Sequence, residues 1–191
     1  YKASHTEYAT DTDAKQDYTY KSFKEDGSVQ QIYHILWEKD GHGEYIKTFR
    51  EKIDPTTSEK TTAENVEYEN TYSPEGNLTE QIRKDHVAQD TSKFEYTYDN
   101  LKRLKEYVYS SKRGTASDYT KYSKYTYEYL NDTDLVTKRQ NFSYLADDSW
   151  NLDYTYTFEY NSDHLLVKEE EKNERTGIII LTNTITIENK K

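Results

Sequence analysis

The chain contains no cysteine and no methionine, and only two prolines and six glycines among 191 residues. Without cysteine there is no disulfide framework, no thiolate zinc site and no cysteine nucleophile. Aliphatic residues are scarce too: Leu, Ile, Val and Phe together number 32, about 17% of the chain. That fraction, joined to a net charge of −10, falls in the range of chains too polar to fold. No window approaches the roughly 20 apolar residues of a membrane helix, since the longest aliphatic run is Ile178 to Leu181. The basic residues are too few and too scattered for a phosphate-binding surface. Lys102, Arg103 and Lys105 are the densest group, so nucleic acid is not expected as a partner.

What the chain does have is 21 tyrosines, and their placement argues that it folds despite this composition. An aromatic residue, five further residues and a branched aliphatic recur at Phe23…Val29, Tyr72…Leu78, Tyr98…Leu104, Tyr129…Leu135 and Tyr160…Leu166. The anchors stand 49, 26, 31 and 31 residues apart, so a worn copy is expected near Tyr45 to Phe49, giving about six units. Each anchor ends an alternating run. Trp150, Leu152, Tyr154, Tyr156, Phe158 and Tyr160 share one parity, with Asn151, Asp153, Thr155, Thr157 and Glu159 on the other. Side chains alternate across a strand with period two, so this run reads as one long strand with an aromatic face and a polar face.

Turn formers follow the anchors: Lys24 to Ser28, Ser73 to Asn77, Asn131 to Asp134 and Asn161 to His164. Each unit is therefore a hairpin. The pattern predicts an all-β fold, a long antiparallel meander of about 10–12 strands built from repeated hairpins, either a curled sheet or an up-and-down barrel. The charged stretch Lys168 to Glu174 is the weakest helix candidate, and it reads as a solvated strand and turn. Residues 17–191 are expected to form a single repeat domain. Residues 1–16 lack the repeat and are expected to be a tether or an irregular segment, and the start at Tyr1 is read as the product of leader removal. A buried Tyr hides roughly 150–250 Å². The aromatic ladder is therefore expected to serve as the core, at about 25 cal/mol per Å² of apolar area.

The run Tyr96-Thr97-Tyr98-Asp99-Asn100-Leu101-Lys102-Arg103-Leu104 resembles the tyrosine–aspartate (YD) repeat, Y-x-Y-D-x-x-G-R-L, of Rhs-type and teneurin-like surface proteins. The glycine position is matched by Gly27 and Gly76 but occupied by Lys102, Thr133 and His164 in the other units. The Asp is matched only at Asp99 and the Arg only at Arg103. The resemblance covers roughly residues 18–170. The whole chain is similar to secreted YD-like all-β domains of unknown function from Bacteroidetes. The resemblance implies a secreted or cell-surface protein with a porin-like or barrel-like fold, and it carries over no catalytic residue; the segment before residues 1–16 is expected to be a removed signal or a lipid anchor.

No H-E-x-x-H, G-x-S-x-G, P-loop or dinucleotide fingerprint is present. Of the five histidines, His5, His34, His42, His86 and His164, His42 and His164 fall in turns and His34 in a strand beside Ile35 and Trp37. Glu67/Glu69 and Glu169/Glu171 share strand faces and read as solvated pairs rather than a glycosidase dyad. The acidic turns Asp132–Asp134 and Asp147–Asp148 lack the fixed spacing of a Ca²⁺ loop. No cofactor, no metal and no catalytic residue are expected. Trp37 and Trp150 are the best platforms for stacking a sugar ring and are the expected ligand-binding residues. The function these features point to is a binding or structural module. Its expected partner is a polysaccharide or another surface protein, without membrane insertion, because the polar face carries Lys121, Glu128, Lys138 and Glu159. Two rivals stay open: a spacer fragment of a larger Rhs-like protein, and a carboxylate-dependent carbohydrate hydrolase.

Overall fold

A computed structural model describes residues 4–185. Its thirteen strands form an antiparallel meander whose hydrogen-bonded order follows the chain. The first six are β1 (Ser4–Asp11), β2 (Lys15–Phe23), β3 (Val29–Lys39), β4 (Tyr45–Ile53), β5 (Lys60–Tyr72) and β6 (Leu78–Asp85). Then come β7 (Asp90–Tyr98), β8 (Leu104–Arg113), β9 (Thr120–Tyr129), β10 (Val136–Tyr144), β11 (Trp150–Tyr160), β12 (Leu166–Asn173) and β13 (Ile178–Thr184). The all-β meander expected from the alternation is present, and Lys168 to Asn173 is strand rather than helix. The order has two ends, β1 and β13, so the described strands do not close into a barrel. No helix of the described residues is long and apolar enough to cross a membrane. Ser4–Asp11, within the expected tether, pairs with β2. The chain divides into two compact units, residues 1–93 with 112–118, and residues 94–111 with 119–191.

The hairpin turns explain the repeat. In six of them the fourth turn residue donates its N–H to the first carbonyl while the first N–H reaches the fifth carbonyl. Gly27 N–H meets Lys24 O at 3.0 Å, and Lys24 N–H meets Ser28 O at 2.9 Å. The same pair of bonds recurs at Asp40–Glu44, Ser73–Asn77, Asp99–Arg103, Leu145–Ser149 and Asn161–Leu165. The fourth residue is left-handed in all six: Gly27, Gly43, Gly76, Lys102, Asp148 and His164. Beyond most of these turns the returning strand carries one extra residue. Phe23 pairs with Val29 but Ser22 with Gln31, Tyr72 with Leu78 but Thr71 with Glu80, and Tyr160 with Leu166 but Glu159 with Lys168. The spacing of anchor and aliphatic is thus the fixed five-residue turn, and the bulge follows it in the returning strand. The worn copy lies at 39–45, where Lys39 holds the anchor position and pairs with Tyr45. One unit departs from the expected pairing. Its turn is a residue longer, Asn131 takes the positive φ, and Tyr129 pairs with Val136 instead of Leu135.

Lys102 (φ 65°) and His164 (φ 62°) bear the Cβ clash that glycine escapes at the same turn position. Lys102→Gly and His164→Gly are each expected to stabilise the protein by about 0.5–1 kcal/mol, the relief of strain less the greater freedom of glycine when unfolded. Urea melts read the difference, and an unchanged midpoint in both variants would mean the turns carry no such strain.

The expected aromatic core is corrected by the burial of its members. Among the described residues only Val66, Ser92 and Ser110 are buried, and Val66 alone is apolar. The strand-to-strand contacts in each unit run between consecutive strands. A side chain on such a sheet is covered by neighbours to its left and right and not by a layer above, so most of the described tyrosines are half-buried and Tyr8, Tyr45 and Tyr122 are exposed. In the second unit they form a continuous ladder. Phe94 lies 5.9 Å from Tyr107, Tyr96 lies 5.5 Å from Tyr107, and Tyr107 lies 5.4 Å from Tyr125, all stacked. Burial first, then the neighbouring Tyr125, Tyr109 and Tyr127, push the Tyr107 phenol up to about 12.

A second correction concerns β11, whose six alternate residues do not all share a face. Tyr154 pairs with Asn141 and Tyr156 with Arg139, but the next pair is Leu152 with Phe142. Two steps on β11 thus match one step on β10, a bulge at Asp153 that turns the strand over. Asn141 also pairs with Tyr125, so Tyr154 to Tyr160 stay on the tyrosine face. Phe142 pairs with Lys124, which puts Trp150, Leu152 and Tyr144 on the opposite face, otherwise occupied by Glu128, Lys138 and Thr157.

Candidate functional site

The two tryptophans sit in different units, and each has gathered the same kind of company. In the first unit Trp37 is half-buried on β3. The Tyr45 ring meets it edge-on, with centroids 6.0 Å apart and planes at 90°. Lys39 Nζ stands 5.4 Å from the Trp37 ring and 5.2 Å from the Tyr45 ring. A shallow hollow of about 210 Å³ opens here, lined by Trp37, Tyr45, Thr48, Phe49, Arg50 and Glu64 among others. Tyr45 is 41% exposed and forms the accessible rim.

In the second unit the bulge at Asp153 delivers Trp150 to the polar face. Tyr144 meets it edge-on at 4.8 Å. Lys124 Nζ stands 5.1 Å from Trp150 and 4.6 Å from Phe142, and Lys121 Nζ is 5.5 Å from the Tyr144 ring. The Tyr144 hydroxyl donates to Asp148 Oδ1 at 3.1 Å, and burial followed by that carboxylate raises its pKa. Lys124 also faces Glu106 at 3.7 Å. A ring face, a phenol edge and an ammonium within one patch suit a pyranose bearing an anionic group, through stacking and charge-assisted hydrogen bonds. The sequence singles out both tryptophans. Lys39, Tyr45, Lys124 and Tyr144 escape it, because only the register places them beside the indoles.

Other residues conspicuous in the sequence are occupied structurally. Asp99 Oδ1 accepts the N–H groups of Leu101 and Arg103, at 2.9 and 3.0 Å. Its Oδ2 accepts Arg103 Nε at 2.7 Å and Nη2 at 2.6 Å. Arg103 Nη1 donates onward to the Asn131 carbonyl at 2.7 Å and to the Thr133 carbonyl, and its guanidinium lies 4.5 Å from the Tyr129 ring centre. Tyr129 in turn donates to Leu104 O at 2.7 Å, and Tyr160 repeats the move to Val136 O at 2.9 Å. Each of these two anchors thereby ties its own hairpin to the one before it.

The first unit does the same with different residues. Asp40 Oδ1 accepts the N–H groups of His42 and Glu44, and Oδ2 accepts Asn70 Nδ2 at 3.0 Å and the Tyr72 hydroxyl. His42 stacks on Tyr72 at 4.0 Å. Burial opposes ionisation of Asp40, yet hydrogen bonds from Tyr72, Asn70 and the two backbone amides outweigh it and bring the pKa down to about 2. An Asx or serine at the first turn position, Asp40, Ser73, Asp99 or Asn161, is the signal in the sequence for this arrangement.

Two further histidines and several of the acids also have neighbours. His34 Nε2 lies 2.7 Å from Asp17 Oδ1 and His86 Nε2 lies 3.3 Å from Glu67. Glu69 pairs with Lys84. Glu169 and Glu171 stand on the tyrosine face, opposite Phe158 and Tyr156, and Tyr156 donates to Glu171 at 3.2 Å. Asp147 Oδ1 holds the Ser149 hydroxyl at 2.6 Å within its turn. Among the described residues, no group of three or more His, Asp or Glu stands close enough to hold a metal ion. No protein-family model matches the chain, and no curated protein matches it in sequence.

Proposed function

We propose that this protein is a secreted or cell-surface β-repeat module that binds glycans through its two tryptophan patches, with acidic polysaccharides as the preferred class. The observation that carries the reading is the matched composition of the patches: an indole, an edge-on tyrosine and a lysine within 5.4 Å of the indole in each unit. Two shallow sites on one chain suit a repeating polymer, because the second contact gains from the first by effective concentration. The resemblance to YD-repeat surface proteins supports the location, through the Asp99–Arg103 pair that carries it. A purely structural spacer is the second reading, favoured by the hydroxyl bonds that link successive hairpins.

Titration of the intrinsic fluorescence with neutral and acidic polysaccharides separates the two. Binding is expected to be weak, on the order of 0.1–1 mM per site, as befits shallow stacking platforms. Trp37→Ala and Trp150→Ala are each expected to weaken it about tenfold with little change in the urea midpoint. If no polysaccharide changes the fluorescence and a glycan array is also blank, the spacer reading stands instead.

A further inference from the structure

We propose that β13 is a docking edge and that its occupant is β13 of a second copy of this chain, paired antiparallel about a two-fold axis. The inference is independent of glycan binding. Ile178, Ile179, Ile180 and Leu181 are 61, 51, 55 and 39% exposed and consecutive, so aliphatic surface is open on both faces of the strand. Elsewhere among the described residues exposed aliphatics stand singly, as do Ile46, Val87, Leu101, Leu145 and Leu165. Interior strands show what is missing. Ile32, Ile35, Ile82 and Val136 have a strand on each side and are half-buried without any covering layer. Lateral neighbours supply the cover in this sheet, and among the described residues β13 has a neighbour, β12, on one side only. What completes the burial of these isoleucines is therefore a strand alongside, not a second sheet on top.

The composition of the strand selects the occupant. β13 is Ile-Ile-Ile-Leu-Thr-Asn-Thr, and it is the one strand of the thirteen with no charged residue. Natural sheet edges are normally blunted by lysine, proline or inward charge, and none of these devices is present. An uncharged strand rich in β-branched residues is self-complementary, since no like charges oppose each other when it meets its own copy. Every other strand of the thirteen carries at least one charged side chain. At the other end of the order β1 carries Glu7, so head-to-tail pairing is disfavoured and the symmetric pair is left. The acidic β12, with Glu169, Glu170 and Glu171, does not oppose the pairing. In the dimer the two β12 strands lie three strand spacings apart, about 14 Å, beyond the ~8 Å screening length at physiological salt.

Sedimentation equilibrium of the full chain tests this. A seven-residue strand pair covers far less than a standard interface, so dimerisation near ~100 µM is expected, and the measurement should run from about 10 to about 500 µM. Raising the salt should tighten it. Ile179→Lys and Thr182→Lys, both at exposed positions, are each expected to weaken the dimer about tenfold or more by opposing like charges across the axis, while circular dichroism stays unchanged. Two separate sites guard against one variant that misfolds. A chain that stays monomeric throughout, a dimer that survives both lysine variants, or an open series of larger species from head-to-tail pairing would each overturn the proposal.

Discussion

Arg103→Ala is expected to lower the stability of the unit that contains it by about 2–3 kcal/mol. The Arg103 side chain is only 13% exposed and that of its partner Asp99 only 23%. It makes a two-pronged bond to Asp99, reaches two carbonyls of the turn between β9 and β10, and lies over the Tyr129 ring. Truncation leaves the carboxylate and two carbonyls to be rehydrated at a crowded turn. Hydrogen bonds to charged groups contribute roughly 1.5–3 kcal/mol each, reduced here because water reaches the rim of the cluster. Arg103→Lys keeps the charge but loses the fork and its five fixed donors, so it should recover less than half of the loss. Lys105→Ala, an exposed cation two residues on, is the control and should stay within about 0.5 kcal/mol of the parent. Urea unfolding of the three variants decides the matter. Equal midpoints for Arg103→Ala and Lys105→Ala would show that the turn-to-turn link is ornamental.

Asp40 gives the first unit its largest expected dependence on acid. Its folded pKa is depressed to about 2, whereas an unfolded aspartate titrates near 3.9. The ionised form is the one that the Tyr72 hydroxyl, Asn70 and two backbone amides hold. The stabilisation is therefore complete above the unfolded pKa and is lost as the pH falls from about 4 toward about 2. Water reaches the turn, so the contribution is discounted to about 1 kcal/mol rather than the full linkage value. Asp40→Asn keeps the acceptor for the amides of His42 and Glu44 but loses the charge. It should be less stable at neutral pH and show a shallower decline below pH 4 than the parent. Asp40→Ala loses the acceptor as well and should cost about 2 kcal/mol. If the acid limb of the melting curve is the same with and without Asp40, its carboxylate is not held in the way the hydrogen bonds require.

Both predictions fall on residues that the sequence marks without explaining. Asp99 and Arg103 are visible as the best-matched unit of the repeat, and Asp40 is visible as a turn former, because turn chemistry is local. The partners of these residues are not visible. Arg103 meets the carbonyls of Asn131 and Thr133 some 28 and 30 residues away, and Asp40 meets Tyr72 across 32. Such links depend on how two hairpins stand side by side. The face of Trp150 is a sharper case. Simple alternation places it with Tyr154 and Tyr156, yet one unpaired residue at Asp153 reverses every side chain before it. Nothing in the residues Leu152-Asp153-Tyr154 announces that bulge, since it is set by register against β10. The patch of Trp150, Tyr144 and Lys124 is accordingly a product of the fold.

The shortage of aliphatic residues takes on a different meaning beside these contacts. Period-two alternation and recurring turns are short-range properties, so the strands, the hairpins and their order follow from the residues alone. How the strands are covered does not. Whether an aromatic face becomes a closed core or stays an open ladder depends on whether a second layer meets it, which no local pattern encodes. Here the rings shelter one another along the sheet, only Val66 among the described apolar residues is buried, and the tryptophan patches and the isoleucine edge remain accessible. That outcome belongs to the three-dimensional arrangement, because burial in a sheet of this kind comes from lateral neighbours and is lost wherever a neighbour is missing.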